Sequence, residues 1–181
     1  LPIFPPLRYT MSDVENSPSP EAQGADPVAA PARKRPKPGE RRVQILQALA
    51  TMLEQPGAER ITTAALAARL EVSEAALYRH FASKAQMFEG LIEFIEQTVF
   101  TLVNQITERE ADGAQQAGRI VAMLLQFAEK NPGMTRVMVG DALVYENERL
   151  QQRMNQFFDK IEAALRQSLR LVAEARGSAT P

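Results

Sequence analysis

The chain has 181 residues, of which 45% are hydrophobic, and this length and composition allow one or two domains with a packed core. The formal net charge is −1, so a nucleic-acid site would have to come from local clusters of charge and not from an overall basic excess. The absence of cysteine excludes disulfides and thiolate metal sites, and the apolar stretches are too short and too interrupted by charge to span a bilayer.

The N-terminal segment differs in composition from the rest of the chain. Residues 1–38 contain nine of the twelve prolines and almost no periodic apolar pattern, which predicts a disordered tail. Met11 is the expected start residue, and residues 1–10 have none of the features of a signal peptide. A basic run follows: Arg33, Lys34, Arg35, Lys37, Arg41 and Arg42. Such a run is often only a solvated tail, and the functional alternative is an arm that neutralises phosphates, which the pattern of the residues after it favours.

From Glu40 onwards the pattern is helical almost everywhere, and no alternating pattern typical of β-strands appears. The first predicted helix places four apolar residues on one face: Leu46, Leu49, Ala50 and Leu53. It is expected to stop at Pro56-Gly57. A second helix is predicted over about 62–70 with Thr62 as its cap, and a third over about 74–80 with Ser73 as its cap.

Four more helices are predicted in the remainder of the chain. Ser83 is expected to cap the fourth, and the fifth covers about 114–130. Asn131-Pro132 starts the sixth, because proline is favoured at the first helical position, and the seventh carries an apolar stripe from Leu150 to Val172. The predicted fold class is therefore all-α, and we divide the chain into a disordered tail (1–38), a three-helix helix-turn-helix head (39–83), a helical body (84–176) and a short disordered tail (177–181).

Residues 61–81, ITTAALAARLEVSEAALYRHF, have the plan of a helix-turn-helix. Four apolar residues are expected to close a small core beneath the two helices: Leu66, Leu70, Val72 and Leu77. The second helix would be about 10 Å long at 1.5 Å per residue, which suits a major groove about 12 Å wide. Position 71 of the turn usually requires glycine, because the backbone there tends to be left-handed, and Glu71 would cost about 1–2 kcal/mol in that conformation.

Each polar residue of the motif has a structural interpretation beside a functional one. Ser73 is a helix cap at an exposed position that also suits a DNA contact. Tyr78 either packs at the helix edge or binds a phosphate, and Arg79 is a surface charge or a contact to phosphate or guanine. His80, the only histidine, is interpreted as a structural or phosphate-contacting group and not as a metal ligand. Lys84 reaches the DNA backbone from the start of the fourth helix.

The stretch ITTAALAARLEVSEAALYRHFASK resembles the TetR family, for which Tyr-x-His-Phe followed closely by Lys is quite specific. The body, in stretches such as EKNPGMTRVMVGDALVYENERLQQRMNQFF, resembles the nucleoid occlusion branch of that family. The resemblance implies a cytoplasmic, nucleoid-associated homodimer that binds palindromic double-stranded DNA without a cofactor, contacts the division protein FtsZ and blocks division over the nucleoid. It implies nine DNA-facing positions: Thr62, Thr63, Ser73, Ala75, Ala76, Tyr78, Arg79, His80 and Lys84.

The resemblance also implies that the FtsZ tail lies along a groove between the fourth and fifth helices. It assigns five positions to that groove: Phe94, Leu102, Met123, Lys130 and Asn131. Exposed Phe or Met beside Lys would suit a short apolar peptide with acidic residues. The alternative is plain core packing, because Phe94 and Met123 lie on apolar helical stripes.

Three further expectations concern what the chain does not carry. The resemblance implies dimerisation through two helices after the seventh, and because the sequence reaches Pro181 without them we expect a truncated chain with impaired dimerisation. A ligand-responsive TetR repressor is the alternative function, although the dense apolar residues of 119–127 favour a filled core over a ligand pocket. An enzyme is disfavoured by the single histidine and by the lack of cysteine, of a Gly-rich phosphate loop and of metal-ligand spacing.

Overall fold

A computed structural model of the chain describes residues 39–55 and 60–177. The predicted Pro-rich tail with Met11, the helix stop at Pro56-Gly57 and most of the predicted C-terminal tail lie outside the described residues. So do four of the residues assigned to the basic arm: Arg33, Lys34, Arg35 and Lys37.

The described residues form seven α-helices, one short 3-10 turn and no β-strand, which confirms the predicted all-α class. In chain order the elements are α1 (Glu40–Leu53), α2 (Thr63–Arg69), α3 (Glu74–Tyr78), α4 (Lys84–Arg109), α5 (Gly113–Lys130), α6 (Pro132–Met138), the 3-10 turn (Asp141–Leu143) and α7 (Glu148–Ala175).

The first three helices pack together and form the head. They and the residues that join them contribute a core of fully buried side chains: Ile45, Leu49, Leu53, Leu66, Leu77 and Phe81. Leu66 and Leu77 are buried as the sequence predicts. Leu70 and Val72 are only partly buried, because they flank the turn between α2 and α3 at the edge of the head.

The head and the body are joined by α4, a single helix of 26 residues that packs against α1 as well as against α5, α6 and α7. It buries seven apolar side chains along its length: Met87, Phe88, Leu91, Ile92, Ile95, Val99 and Val103. Neither this helix nor any other within 39–55 and 60–177 is long and apolar enough to cross a membrane.

A second connection between body and head is made by the start of α6. A Cβ atom on Gly133 would lie 2.0 Å from the carbonyl oxygen of Ala50, so the close approach of α6 to α1 requires glycine at this position. On the same helix, Arg136 donates a hydrogen bond of 3.0 Å to the carbonyl oxygen of Leu53. The bond satisfies a carbonyl at the end of α1 that has no partner within its own helix.

Ion pairs join α4 to α7. Arg153 donates two hydrogen bonds to the carboxylate of Glu96, at 3.3 and 2.7 Å, and Arg149 lies 3.8 Å from Glu89. The hydrogen bond to Glu96 raises the pKa of the Arg153 guanidinium above its ordinary value, although burial acts in the opposite direction. We call these two pairs the α4–α7 seam.

The apolar stretch of α5 does not form a filled core, and the prediction of one is wrong. Ile120 and Phe127 are buried, but Val121 is 45% exposed and Leu125 is 66% exposed. The reason is geometric: α4, α6 and α7 cover one side of α5, while residues on its opposite side face solvent. Apolar density in a helix therefore does not by itself indicate that all its faces are covered.

Candidate DNA-binding site

Helix α2 is fixed at its start by the residue that the sequence predicts as its cap. The Thr62 hydroxyl oxygen accepts a hydrogen bond of 3.1 Å from the N–H of Ala65. Thr62 is exposed and Thr63 is partly buried, so the first turn of α2 reaches the surface of the head. α2 ends at Arg69, one residue before the predicted end.

The turn between α2 and α3 has the left-handed residue that the motif predicts. Glu71 has φ +53°, and it is the only non-glycine residue with positive φ in the described part of the chain. The N–H groups of Glu71 and Val72 donate to the carbonyl oxygens of Ala68 and Ala67, at 3.1 and 3.0 Å. This pair of bonds is a Schellman motif, which normally places glycine where Glu71 stands.

Helix α3 is capped as predicted but is shorter than predicted. The Ser73 hydroxyl oxygen accepts from the N–H of Ala76 at 3.3 Å. The α-helix ends at Tyr78, whereas the sequence pattern predicts its end at His80. The physical reason is that the Leu77 carbonyl oxygen accepts from the N–H groups of both His80 and Phe81, at 2.9 and 3.1 Å. The resulting tight turn lets Phe81 enter the core.

A polar cluster on the outer surface of the head connects the start of α2 to α3. Thr63 donates a hydrogen bond of 2.6 Å to Glu74, and Tyr78 donates one of 3.4 Å to the Thr63 hydroxyl. All three side chains belong to the surface that the motif assigns to DNA. Glu74 is not among the site residues predicted from the sequence. Its place in the first turn of α3, next to Ser73, was the signal that could have included it. A carboxylate there can accept from the cytosine amino group.

The other assigned residues differ in how far they reach solvent. Ser73, Ala75 and Arg79 are exposed, whereas Ala76 and His80 are partly buried. The Arg79 side chain is therefore accessible to a ligand, and that of His80 is less so.

Arg42, which the sequence groups with the basic run, belongs to the head. Its guanidinium lies 4.0 Å from the centroid of the Phe81 ring and donates a hydrogen bond to the His80 carbonyl oxygen. Arg42 thus holds the end of α3. Periodicity gave no indication of this contact, because the two partners are separated by most of the head sequence.

Lys84 begins α4, as expected for a residue near the DNA backbone, but its ammonium forms an ion pair with Glu146. Glu146 lies in the loop between the 3-10 turn and α7 and therefore belongs to the body. This partner is not predicted from the sequence. The helix start itself is as predicted, because the Ser83 hydroxyl oxygen accepts from the Gln86 N–H at 3.2 Å.

The five positions assigned to a partner groove lie on two helices that pack against each other, α4 and α5, and at the end of α5. Phe94, Leu102 and Met123 are partly buried, and Lys130 is exposed. Asn131 is partly buried and donates a hydrogen bond of 2.8 Å to the Phe127 carbonyl oxygen. The partial burial of the three apolar members is compatible both with a groove and with packing at the edge of the core.

Two capped helices around a Schellman turn, with the second helix set on buried Leu77 and its outer surface exposed, define a helix-turn-helix DNA-binding protein. Residues 45–91 match the family described as bacterial regulatory proteins of the tetR family. Residues 113–179 match the SlmA-like group, described as a tetracyclin repressor-like C-terminal domain.

Individual relatives agree with both matches. The nucleoid occlusion factor SlmA of Aliivibrio fischeri strain MJ11 is 56% identical over 147 residues, which cover 81% of this chain and 75% of the relative. The SlmA of Vibrio vulnificus strain YJ016 is 58% identical over 135 residues, covering 74% of this chain and 69% of the relative. The chain belongs to the TetR family and, within it, to the SlmA nucleoid occlusion factors.

A solved structure is similar in fold. The TetR-family transcriptional regulator from Bordetella parapertussis 12822 superposes with a TM-score of 0.61, covering 77% of this chain and 70% of that chain. At 17% sequence identity this likeness concerns the arrangement of the helices alone.

Proposed function

We propose that the chain is a nucleoid occlusion factor. It binds palindromic chromosomal sites through its helix-turn-helix and antagonises FtsZ assembly, so that a septum does not form over the nucleoid. The observation that carries the DNA-binding part is the capped helix α3, which buries Leu77 and presents Ser73, Ala75 and Arg79 to solvent. The naming of the SlmA relatives as nucleoid occlusion factors supports the cellular role.

On DNA, α3 enters the major groove and its end lies close to the bases. Arg79 contacts guanine or phosphate, Ala75 and Ala76 allow close approach to a thymine methyl group, and the Tyr78 hydroxyl binds phosphate. Thr62, Thr63, Ser73, His80 and Lys84 surround α3 and contact the DNA backbone. The basic residues of the arm add contacts that do not depend on sequence.

A palindromic site presents two equivalent half-sites, and two copies of the chain related by a twofold axis would read both. The sequence-based expectation is impaired dimerisation, but because the proposed site is a palindrome we include a homodimer on DNA in the proposal. Light scattering of the chain, alone and with a palindromic duplex, measures this directly. Two chains per duplex is the expected result, and a single chain on each duplex would contradict the dimer.

The DNA-binding proposal is tested with a palindrome selected from a random duplex library and a scrambled duplex of equal length. Fluorescence anisotropy gives the dissociation constant on each duplex for the wild-type chain, for Arg79→Ala and for the control Arg166→Ala. Arg166 is a surface arginine on α7, paired with Glu162 at 2.5 Å. Arg79→Ala is expected to weaken specific binding more than non-specific binding, and Arg166→Ala to change neither. Equal losses on the two duplexes would make Arg79 a phosphate contact only.

The partner proposal assigns the tail of FtsZ to the α4–α5 groove. Phe94, Leu102 and Met123 would contact its apolar residues, and Lys130 would contact its acidic residues, with Asn131 beside it. The test is FtsZ assembly, followed by light scattering in the presence of the chain and its DNA site. Lys130→Ala is expected to reduce the inhibition, whereas Lys160→Ala on α7 is not. If Lys130→Ala and Phe94→Ala both inhibit FtsZ assembly as strongly as the wild-type chain, the FtsZ tail contacts another part of the chain.

Membership of the TetR family also fits a ligand-responsive repressor, which is the alternative. The FtsZ assembly assay distinguishes the two functions, because a ligand-responsive repressor would bind its operator and leave FtsZ assembly unchanged.

A further inference from the structure

A carboxylate of the loop before α7 pairs with a lysine at the start of α4, the helix that joins the head to the body. Glu146 precedes α7, and its side chain is only 11% exposed. It pairs with Lys84, the first residue of α4, whose side chain is 24% exposed. The Glu146 N–H donates to the Leu143 carbonyl oxygen at 3.0 Å, which fixes the loop. The body therefore supplies a positioned negative charge to a lysine that the proposed function assigns to DNA.

A DNA phosphate and the Glu146 carboxylate would compete for the ammonium group of Lys84. If Lys84 turned fully to a phosphate, the carboxylate would stay largely buried without its cation, and this state is unfavourable. If the ammonium served both groups, phosphate and carboxylate would be held close together and would repel each other. In both cases the carboxylate opposes the binding of DNA at this position.

We propose that Glu146 is a positioning residue that restrains Lys84 and lowers the affinity of the head for duplex DNA. The inference rests on the proposed function, because it requires DNA to approach the start of α4. Phosphate contacts carry no sequence information, so the restraint acts equally on a palindrome and on unrelated DNA.

The test is Glu146→Gln in the full chain, which removes the charge and keeps the size and the polar character of the side chain. Dissociation constants are measured on the selected palindrome and on the scrambled duplex over a range of salt concentrations. Glu146→Gln is expected to bind both duplexes more tightly by the same factor. One released ammonium makes the slope of log affinity against log salt concentration steeper by about 0.9. The gain in affinity therefore shrinks about 3.5-fold between 50 and 200 mM salt.

Two variants control for the change in net charge. Glu96→Gln removes the same charge from the α4–α7 seam. Glu96 lies further along α4 than Lys84 and pairs with Arg153 of α7, so this variant should leave DNA affinity unchanged. The double variant Lys84→Gln/Glu146→Gln is compared with Lys84→Gln. No ammonium remains to be released in either of them, so Glu146→Gln should give no gain in affinity in this background. Thermal unfolding by circular dichroism checks that each variant is folded. Should Glu146→Gln not fold, Glu146→Asp withdraws the carboxylate by one methylene and is expected to give a smaller gain.

The outcomes separate this inference from the proposed function. A gain that survives in the Lys84→Gln background, or that Glu96→Gln reproduces, would overturn the inference alone. Unchanged affinity of Glu146→Gln would overturn it too, and weaker binding would mean that Glu146 holds Lys84 towards the DNA. Absence of DNA binding by the wild-type chain and by Glu146→Gln alike would overturn both the inference and the proposed function.

Discussion

The Arg42 guanidinium lies over the ring of Phe81, 4.0 Å from its centroid, and donates a hydrogen bond to the carbonyl oxygen of the preceding residue, His80. One side chain of α1 thus makes two contacts at the end of α3. A guanidinium is suited to this position because its plane stacks on a ring while its N–H groups remain free to donate at its edge.

Replacing Arg42 with alanine is expected to lower the free energy of unfolding by about 1–2 kcal/mol, because the variant has neither the ring interaction nor the charge-assisted hydrogen bond. DNA affinity should fall with it, because the end of α3 is less firmly held. Chemical denaturation and anisotropy measure the two effects. Arg42→Lys keeps the charge without the planar fork and should recover only part of both. A loss of DNA affinity at unchanged stability would instead make Arg42 a direct phosphate contact.

Replacing Glu71 with glycine is expected to raise the free energy of unfolding by up to about 1.5 kcal/mol. The reason is that the strain of a left-handed non-glycine residue, about 1–2 kcal/mol, exceeds the entropic cost of glycine, about 0.5–1 kcal/mol. Chemical denaturation provides the measurement. Glu71→Ala is the matched control, because it removes the carboxylate and keeps the Cβ atom at φ +53°. An equal gain in both variants would assign the effect to the side chain and not to the backbone.

The helices and the turn could be predicted because their determinants are local. Thr62 and Ser73 cap the helices that follow them, and the left-handed turn at Glu71 follows from the spacing of the two helices. The contacts that hold the site could not be predicted in this way. Glu146 is separated from Lys84 by 62 positions, and their meeting depends on how α4, α6 and α7 pack together, which no periodicity encodes.

The basic arm is predicted to strengthen binding to all DNA alike. The variant replaces four arm residues together with alanine: Arg33, Lys34, Arg35 and Lys37. It should weaken binding to the palindrome and to the scrambled duplex by the same factor. The salt dependence should become shallower by about 0.9 in the log–log slope for each phosphate that the arm no longer neutralises. Anisotropy titrations at several salt concentrations measure both quantities. A loss confined to one base pair of the palindrome would contradict the role, because it would require readout of a base.

The two sides of α5 are predicted to respond differently to truncation. Ile120→Ala should lower the free energy of unfolding by about 2–5 kcal/mol, because its side chain is fully buried. Leu125→Ala on the exposed side should stay within about 0.5 kcal/mol in dilute solution. Chemical denaturation of both variants over a range of protein concentrations tests the difference. A loss at Leu125 that increases as the protein is concentrated would mean that two copies of the chain bury this side of α5 between them, since only association makes apparent stability depend on protein concentration.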